Sequence, residues 1–63
     1  MQRQFLRIED LKSVLGLSKS TIYSLIEAGD FPRQIRIAHR AVGWSAREIE
    51  DWVEKRKGEH RVE

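Results

Sequence analysis

The sequence predicts a mostly α-helical domain with a small two-stranded β wing, a winged helix-turn-helix. Three observations predict it. Leu15, Gly16, Leu17 and Ser18 read as a sharp turn between short helices, and Leu11, Leu15, Leu17, Ile22 and Leu25 recur at the spacing with which two helices pack across such a turn. From Arg33 onward the hydrophobic period falls to two, which marks strands. Ser45, Ala46, Arg47 and Glu48 then match a capping box and open a last helix.

A short extended start is expected around Phe5 and Leu6. The first helix carries its apolar stripe on Ile8, Leu11, Val14 and Leu15, lacks a good capping residue at its start, and stops where Gly16 takes a left-handed conformation. Ser18 caps the second helix, with Leu17 and Ile22 placed as a hydrophobic staple; Ile22, Leu25 and Ile26 form its buried side. Gly29 ends that helix and Pro32 prevents its continuation. Ile35 and Ile37 alternate with Gln34 and Arg36, and Val42, Gly43 and Trp44 return after Ala38, His39 and Arg40, so this stretch reads as a hairpin without an Asn-Gly or Asp-Gly turn. In the last helix Ile49, Trp52 and Val53 face inward, Trp44 and Ile49 make a second staple, and acids early with Lys55, Arg56 and Lys57 late match the helix dipole. This gives a flexible start over residues 1–4, a domain over residues 5–57 and a flexible tail over residues 58–63.

Sixty-three residues allow one domain with one small core, shared by Trp44, Trp52, Phe31 and the aliphatic stripes. The absence of cysteine and the presence of only two histidines speak against a disulfide scaffold or a structural zinc domain, and no cofactor or metal is expected. No run approaches the roughly 20 apolar residues of a membrane span, so a cytoplasmic, nucleoid-associated protein without a membrane partner is expected. The net charge of +2 is unremarkable, but its distribution is not. No acid occurs in residues 31–47, which hold four arginines and His39, whereas acids collect at Glu9 and Asp10 and over residues 48–54. Such asymmetry creates a field that steers a polyanion.

Projected at helical periodicity, the second helix presents Ser20, Tyr23, Ser24 and Glu27 opposite its apolar stripe, with Lys19 and Thr21 flanking. Ser18, Lys19, Ser20 and Thr21 lie at its positive end, where free backbone N–H groups favour a phosphate; Tyr23, Ser24 and Glu27 are placed to meet base edges or backbone. Arg36, His39 and Arg40 on the wing, with Arg33 and Arg47 beside it, are placed to follow a phosphate backbone or enter a minor groove. Plainer readings stand beside these. The helix face can simply be solvated, the hairpin charges can protect a sheet edge, Arg33 can pair with Asp30 and Arg47 with Asp51, and Tyr23 can pack in the core. Adjacent carboxylates such as Glu50 and Asp51 diverge on a helix, and His39 and His60 lie far apart, so no catalytic set converges and an enzyme is not expected.

Taken in order, Leu15, Gly16, Leu17, Ser18; Ser20, Thr21, Ile22, Tyr23; Gly29, Asp30, Phe31, Pro32; Val42, Gly43, Trp44; and Glu48, Ile49, Glu50, Asp51, Trp52 resemble the AlpA-like prophage regulatory proteins. The resemblance spans about residues 5–57, with two departures: Lys12 stands where many helix-turn-helix motifs have a small residue, and the wing tip lacks glycine. It implies a winged helix-turn-helix related to phage excisionases and to the DNA-binding end of MerR-type regulators. It further implies that residues 18–28 are the recognition helix, that the hairpin is the wing, and that double-stranded DNA at prophage or genomic-island promoters is the partner. Integrase or excision genes are then the expected targets. An excisionase-type factor that bends DNA and a protein-interaction adaptor are the alternative outputs. Cooperative self-association on DNA, or contact with RNA polymerase or an integrase, would supplement the affinity of so small a module.

Overall fold

The computed structural model describes residues 3–59 and 62. Its elements run β1 (Phe5–Leu6), α1 (Ile8–Leu15), α2 (Lys19–Glu27), β2 (Ile35–Ala38), β3 (Ala41–Ser45) and α3 (Ala46–Glu59). The expected two-stranded wing is part of a larger antiparallel sheet of order β1-β3-β2, in which Phe5 opposes Ser45 and Leu6 opposes Trp44. The extended start thus becomes a third strand. Gln4 adds to this edge by accepting the Ala46 N–H at 3.0 Å.

Local chemistry sets each helix end. Arg7 has no side chain able to cap α1, but its backbone N–H donates to the Asp10 carboxylate at 2.9 Å, the return half of a capping box. Gly16 ends α1 at φ 69° and donates its N–H to Lys12 at 2.9 Å. A Cβ at Gly16 would meet nothing within 4 Å, so the backbone angle, and not space, demands glycine there. Lys12 lies along its own helix, 3.3 Å from Glu9. At the end of α2, Gly29 (φ 79°) donates to Ile26 at 3.0 Å and Asp30 donates to Leu25 at 2.8 Å, a complete Schellman motif. Ser45 Oγ accepts the Glu48 N–H at 3.3 Å while Ser45 is still the last residue of β3. The α3 helix continues through Gly58 to Glu59; the remainder of the expected tail, His60, Arg61 and Glu63, and the first two residues of the expected flexible start lie outside the described residues.

Leu11, Ile22, Phe31, Trp44 and Ile49 form the buried core, one from each helix plus one from the α2–β2 connection and one from β3. Leu6, Ile8, Leu15, Leu17, Leu25, Ile26, Trp52 and Val53 pack around them. Both staple partners Trp44 and Ile49 are buried, as the capping pattern predicts. Val14 is not part of this core and is 67% exposed.

The hairpin pairs Ile35 with Gly43, Arg36 with Val42 and Ala38 with Ala41, and the register slips at Ile37. Among the described residues only glycines have positive φ, so the His39–Arg40 turn is neither type I′ nor type II′. Unprimed turns splay the strands, and the extra residue on β2 absorbs that mismatch. The register sets the two sides of the sheet. Directly opposed residues share a face, so Arg36 lies with Val42 on the face that carries Trp44, while Ile35, Gly43 and Phe5 lie on the other. Ile35 remains 40% exposed. Gly43 is indispensable in this arrangement, since a Cβ there would collide with the Ile37 side chain and come within 2.7 Å of the Leu6 carbonyl oxygen. No helix among the described residues is long and apolar enough to cross a membrane.

Candidate nucleic-acid interface

The polar face of α2 divides into residues used by the fold and residues left over. Ser18 Oγ accepts the Thr21 N–H at 3.2 Å, donates to Thr21 Oγ1 at 2.8 Å and lies 3.4 Å from Ser20 Oγ. These three hydroxyls order the first turn of the helix, and all three residues are exposed. Tyr23 is half-buried with its ring edge-on to Trp44, centroids 6.4 Å apart, so its body belongs to the core margin. Lys19, Ser24 and Glu27 are exposed and have no side-chain hydrogen bond or ion pair among the described residues. They are the groups on this face whose bonding capacity the fold leaves unspent.

The connection from α2 to the wing is anchored by two indoles. Trp44 Nε1 donates to the Pro32 carbonyl at 2.8 Å, and Trp52 Nε1 donates to the Asp30 carbonyl at 2.6 Å. Between them Phe31 is buried and stands edge-on to Trp52 at 4.8 Å. Buried tryptophans combine apolar area with a donor that needs a partner, and here both donors grip one short strap. The residues of this strap were legible as a helix stop, but its attachments were not. Periodicity places Trp44 and Trp52 inward without indicating where an indole N–H will point. Arg56 completes the packing, its guanidinium 5.0 Å from the centre of the Trp52 ring.

Arg33, Arg36, His39, Arg40 and Arg47 are all exposed. The pairs Arg33–Asp30 and Arg47–Asp51, considered from sequence, do not form; the ion pairs among the described residues are Arg3–Asp10, Lys12–Glu9 and Lys57–Glu54. Arg36 donates to the His39 carbonyl at 3.3 Å, which ties its guanidinium to the wing tip. The basic residues separate into two groups. Arg36, His39 and Arg40 form the tip, whereas Arg33 precedes β2 and Arg47 follows β3, at the base of the hairpin. The strand from Ala41 to Ser45, about 13 Å of extended chain, separates the turn that carries Arg40 from Arg47. Trp44 packs toward α2 through Tyr23, and the same sheet face continues outward to Val42 and Arg36. The α2 helix and the tip arginine therefore share one side of the sheet.

One carboxyl has a displaced pKa. Asp10 is lowered from its ordinary value, chiefly by the Arg7 backbone N–H and then by the Arg3 guanidinium. It belongs to the start of α1 and acts on helix geometry, away from α2 and the wing.

Two short helices across a glycine turn, an indole-anchored strap, a hairpin and a closing helix define a winged helix-like domain. Residues 4–57 match the family model described as the prophage CP4-57 regulatory protein (AlpA). The chain is also 40% identical over 52 residues to the uncharacterized protein ORF88 of Enterobacteria phage P4, an alignment covering 82% of this chain and 59% of that protein. The chain therefore belongs to the AlpA family of prophage regulatory proteins. It spans less than two thirds of the length of this curated relative.

Proposed function

We propose that this prophage regulatory protein is a non-enzymatic, sequence-specific binder of double-stranded DNA that acts in the cytoplasm on transcription of integrase or excision genes. The observation that carries the reading is the pairing of a solvent-facing α2, with Lys19, Ser24 and Glu27 unspent, and the exposed wing residue Arg36 on the same side of the sheet. The first turn of α2 offers free N–H groups and the positive end of the helix dipole to a phosphate. Lys19 adds the one full positive charge on α2, so the arginines must supply much of the remaining electrostatic affinity. Ser20, Ser24, Glu27 and the hydroxyl of Tyr23 then face base edges, where Glu27 can accept from a cytosine amino group. Ser18 and Thr21 contribute by fixing the geometry of that turn.

A module of this size covers roughly 600–1,000 Å² of protein surface on DNA. About four to six phosphate contacts would give log K against log salt a slope near −4 to −5. Titrating labelled prophage promoter fragments at several salt concentrations tests this directly. Binding that is insensitive to salt, or equal on every sequence, would overturn the reading. Measuring promoter output and prophage excision separately then distinguishes a regulator from an excisionase-type bending factor. A change in excision with constant promoter activity identifies the latter.

A further inference from the structure

The groove between the strap and α3, about 880 Å³, has a charge opposite to that of the chain as a whole. Five carboxylates line it against two cations, Lys55 and Arg56, whereas the chain carries a net charge of +2. Glu54 is spent on Lys57 at 3.2 Å. Asp30, Glu48, Asp51 and Glu59 are exposed and form no ion pair among the described residues. None of the lining residues lies on α2 or in the hairpin, so the groove stays open when those surfaces are occupied.

The apolar part of the groove is Phe31, Pro32 and Trp52. It already holds one guanidinium, since Arg56 lies 5.0 Å from the centre of the Trp52 ring. An indole face beside unpaired carboxylates suits arginine above other side chains: the planar head stacks or pairs bidentately while the stem covers apolar surface. The same rim repels a phosphate backbone or an acidic peptide, so charge selects a cationic occupant. We propose that the strap–α3 groove docks a basic, arginine-bearing segment of another protein, its guanidinium groups meeting Asp30, Glu48 and Asp51 and its stems lying along Pro32 and Trp52. The contact is small. Its dissociation constant is on the order of 0.1–1 mM, which serves a partner already held nearby.

Fluorescence polarisation tests this with a labelled peptide of about ten residues that alternates arginine and serine. The whole chain is titrated in to about 2 mM without DNA, so the outcome is independent of the DNA-binding reading. Saturable binding is expected, about 3-fold tighter than to the lysine counterpart and weaker at high salt. The indole N–H resonances locate it: that of Trp52 is expected to shift with added peptide more than that of the buried Trp44. Asp30→Asn and Asp51→Asn are each expected to weaken binding about 2- to 5-fold, and Asp51→Lys about 10-fold, with unchanged circular dichroism as evidence of folding. A peptide that does not bind, that binds Asp51→Lys as well as wild type, that is no tighter than its lysine counterpart, or that moves Trp44 more than Trp52 overturns the proposal. So does concentration-dependent sedimentation of the chain alone that Asp51→Lys abolishes, which assigns the groove to the wing of a second copy.

Discussion

The strap over residues 29–32 and the wing tip over residues 36–40 are near neighbours in the chain, and they use their residues in opposite ways. In the strap, two carbonyl oxygens are held by indole N–H groups and Phe31 is buried to 5% exposure. At the tip every residue but Ile37 is exposed, and a side-chain hydrogen bond ties Arg36 to the turn it flanks. The contrast separates two tasks. Rigidity is concentrated where the helix and the wing must keep a fixed relation, and positive charge is displayed where the fold needs nothing from it.

The sharpest way to break this contrast is Phe31→Ala, which empties the strap of its anchor. A loss of about 3–5 kcal/mol is expected in urea unfolding, enough to leave so small a domain largely unfolded. Trp52→Phe tests the same region more finely. It keeps an aromatic ring against Phe31 but removes the donor to the Asp30 carbonyl, with an expected loss of about 1 kcal/mol at unchanged m-value. At the tip, Arg36→Ala and Arg40→Ala should alter stability by less than about 0.5 kcal/mol. On DNA each should weaken binding and make the salt slope shallower by about 0.9. If stability falls as it does for the strap variants, the proposed division of labour fails.

The smallest effect concerns a third region, the start of α1, and serves as a control. Asp10 has its pKa lowered in the folded chain, so its stabilisation is present at neutral pH and is lost as pH falls through the ordinary aspartate range to the lowered folded value. Acid titration of thermal stability should show this loss in the wild-type chain. Asp10→Asn should flatten that limb of the curve.

Much of the fold was legible because local signals agree with one another. Gly16, Ser18, Gly29 and Ser45 each mark a boundary through backbone conformation or a short-range hydrogen bond, interactions encoded within a few residues. What escaped was long-range. The pairing of Phe5–Leu6 with β3 has no signature in two residues, and the strap's attachments join positions 12 and 22 residues apart. The alternation of Ile35 and Ile37 reads correctly as strand, but it does not reveal which residue of β3 each opposes, and the slip at Ile37 sets Arg36 opposite Val42. For the candidate interface, residue type and helical phase found the exposed positions. They could not separate Ser18 and Thr21, already bonded to each other, from Lys19 and Ser24, which are not.

Ser45 ends β3 and caps α3 in the same residue, so no flexible joint lies between the hairpin and the closing helix. That helix has 14 residues and measures about 21 Å. Hairpin and helix therefore form the two fixed arms of an angle whose corner lies at the Trp44 end of the sheet. A change that shifts the base of the hairpin thus carries the start of α3 with it, and the strap holds the end of α2 to the same corner through the Trp44 and Trp52 indoles.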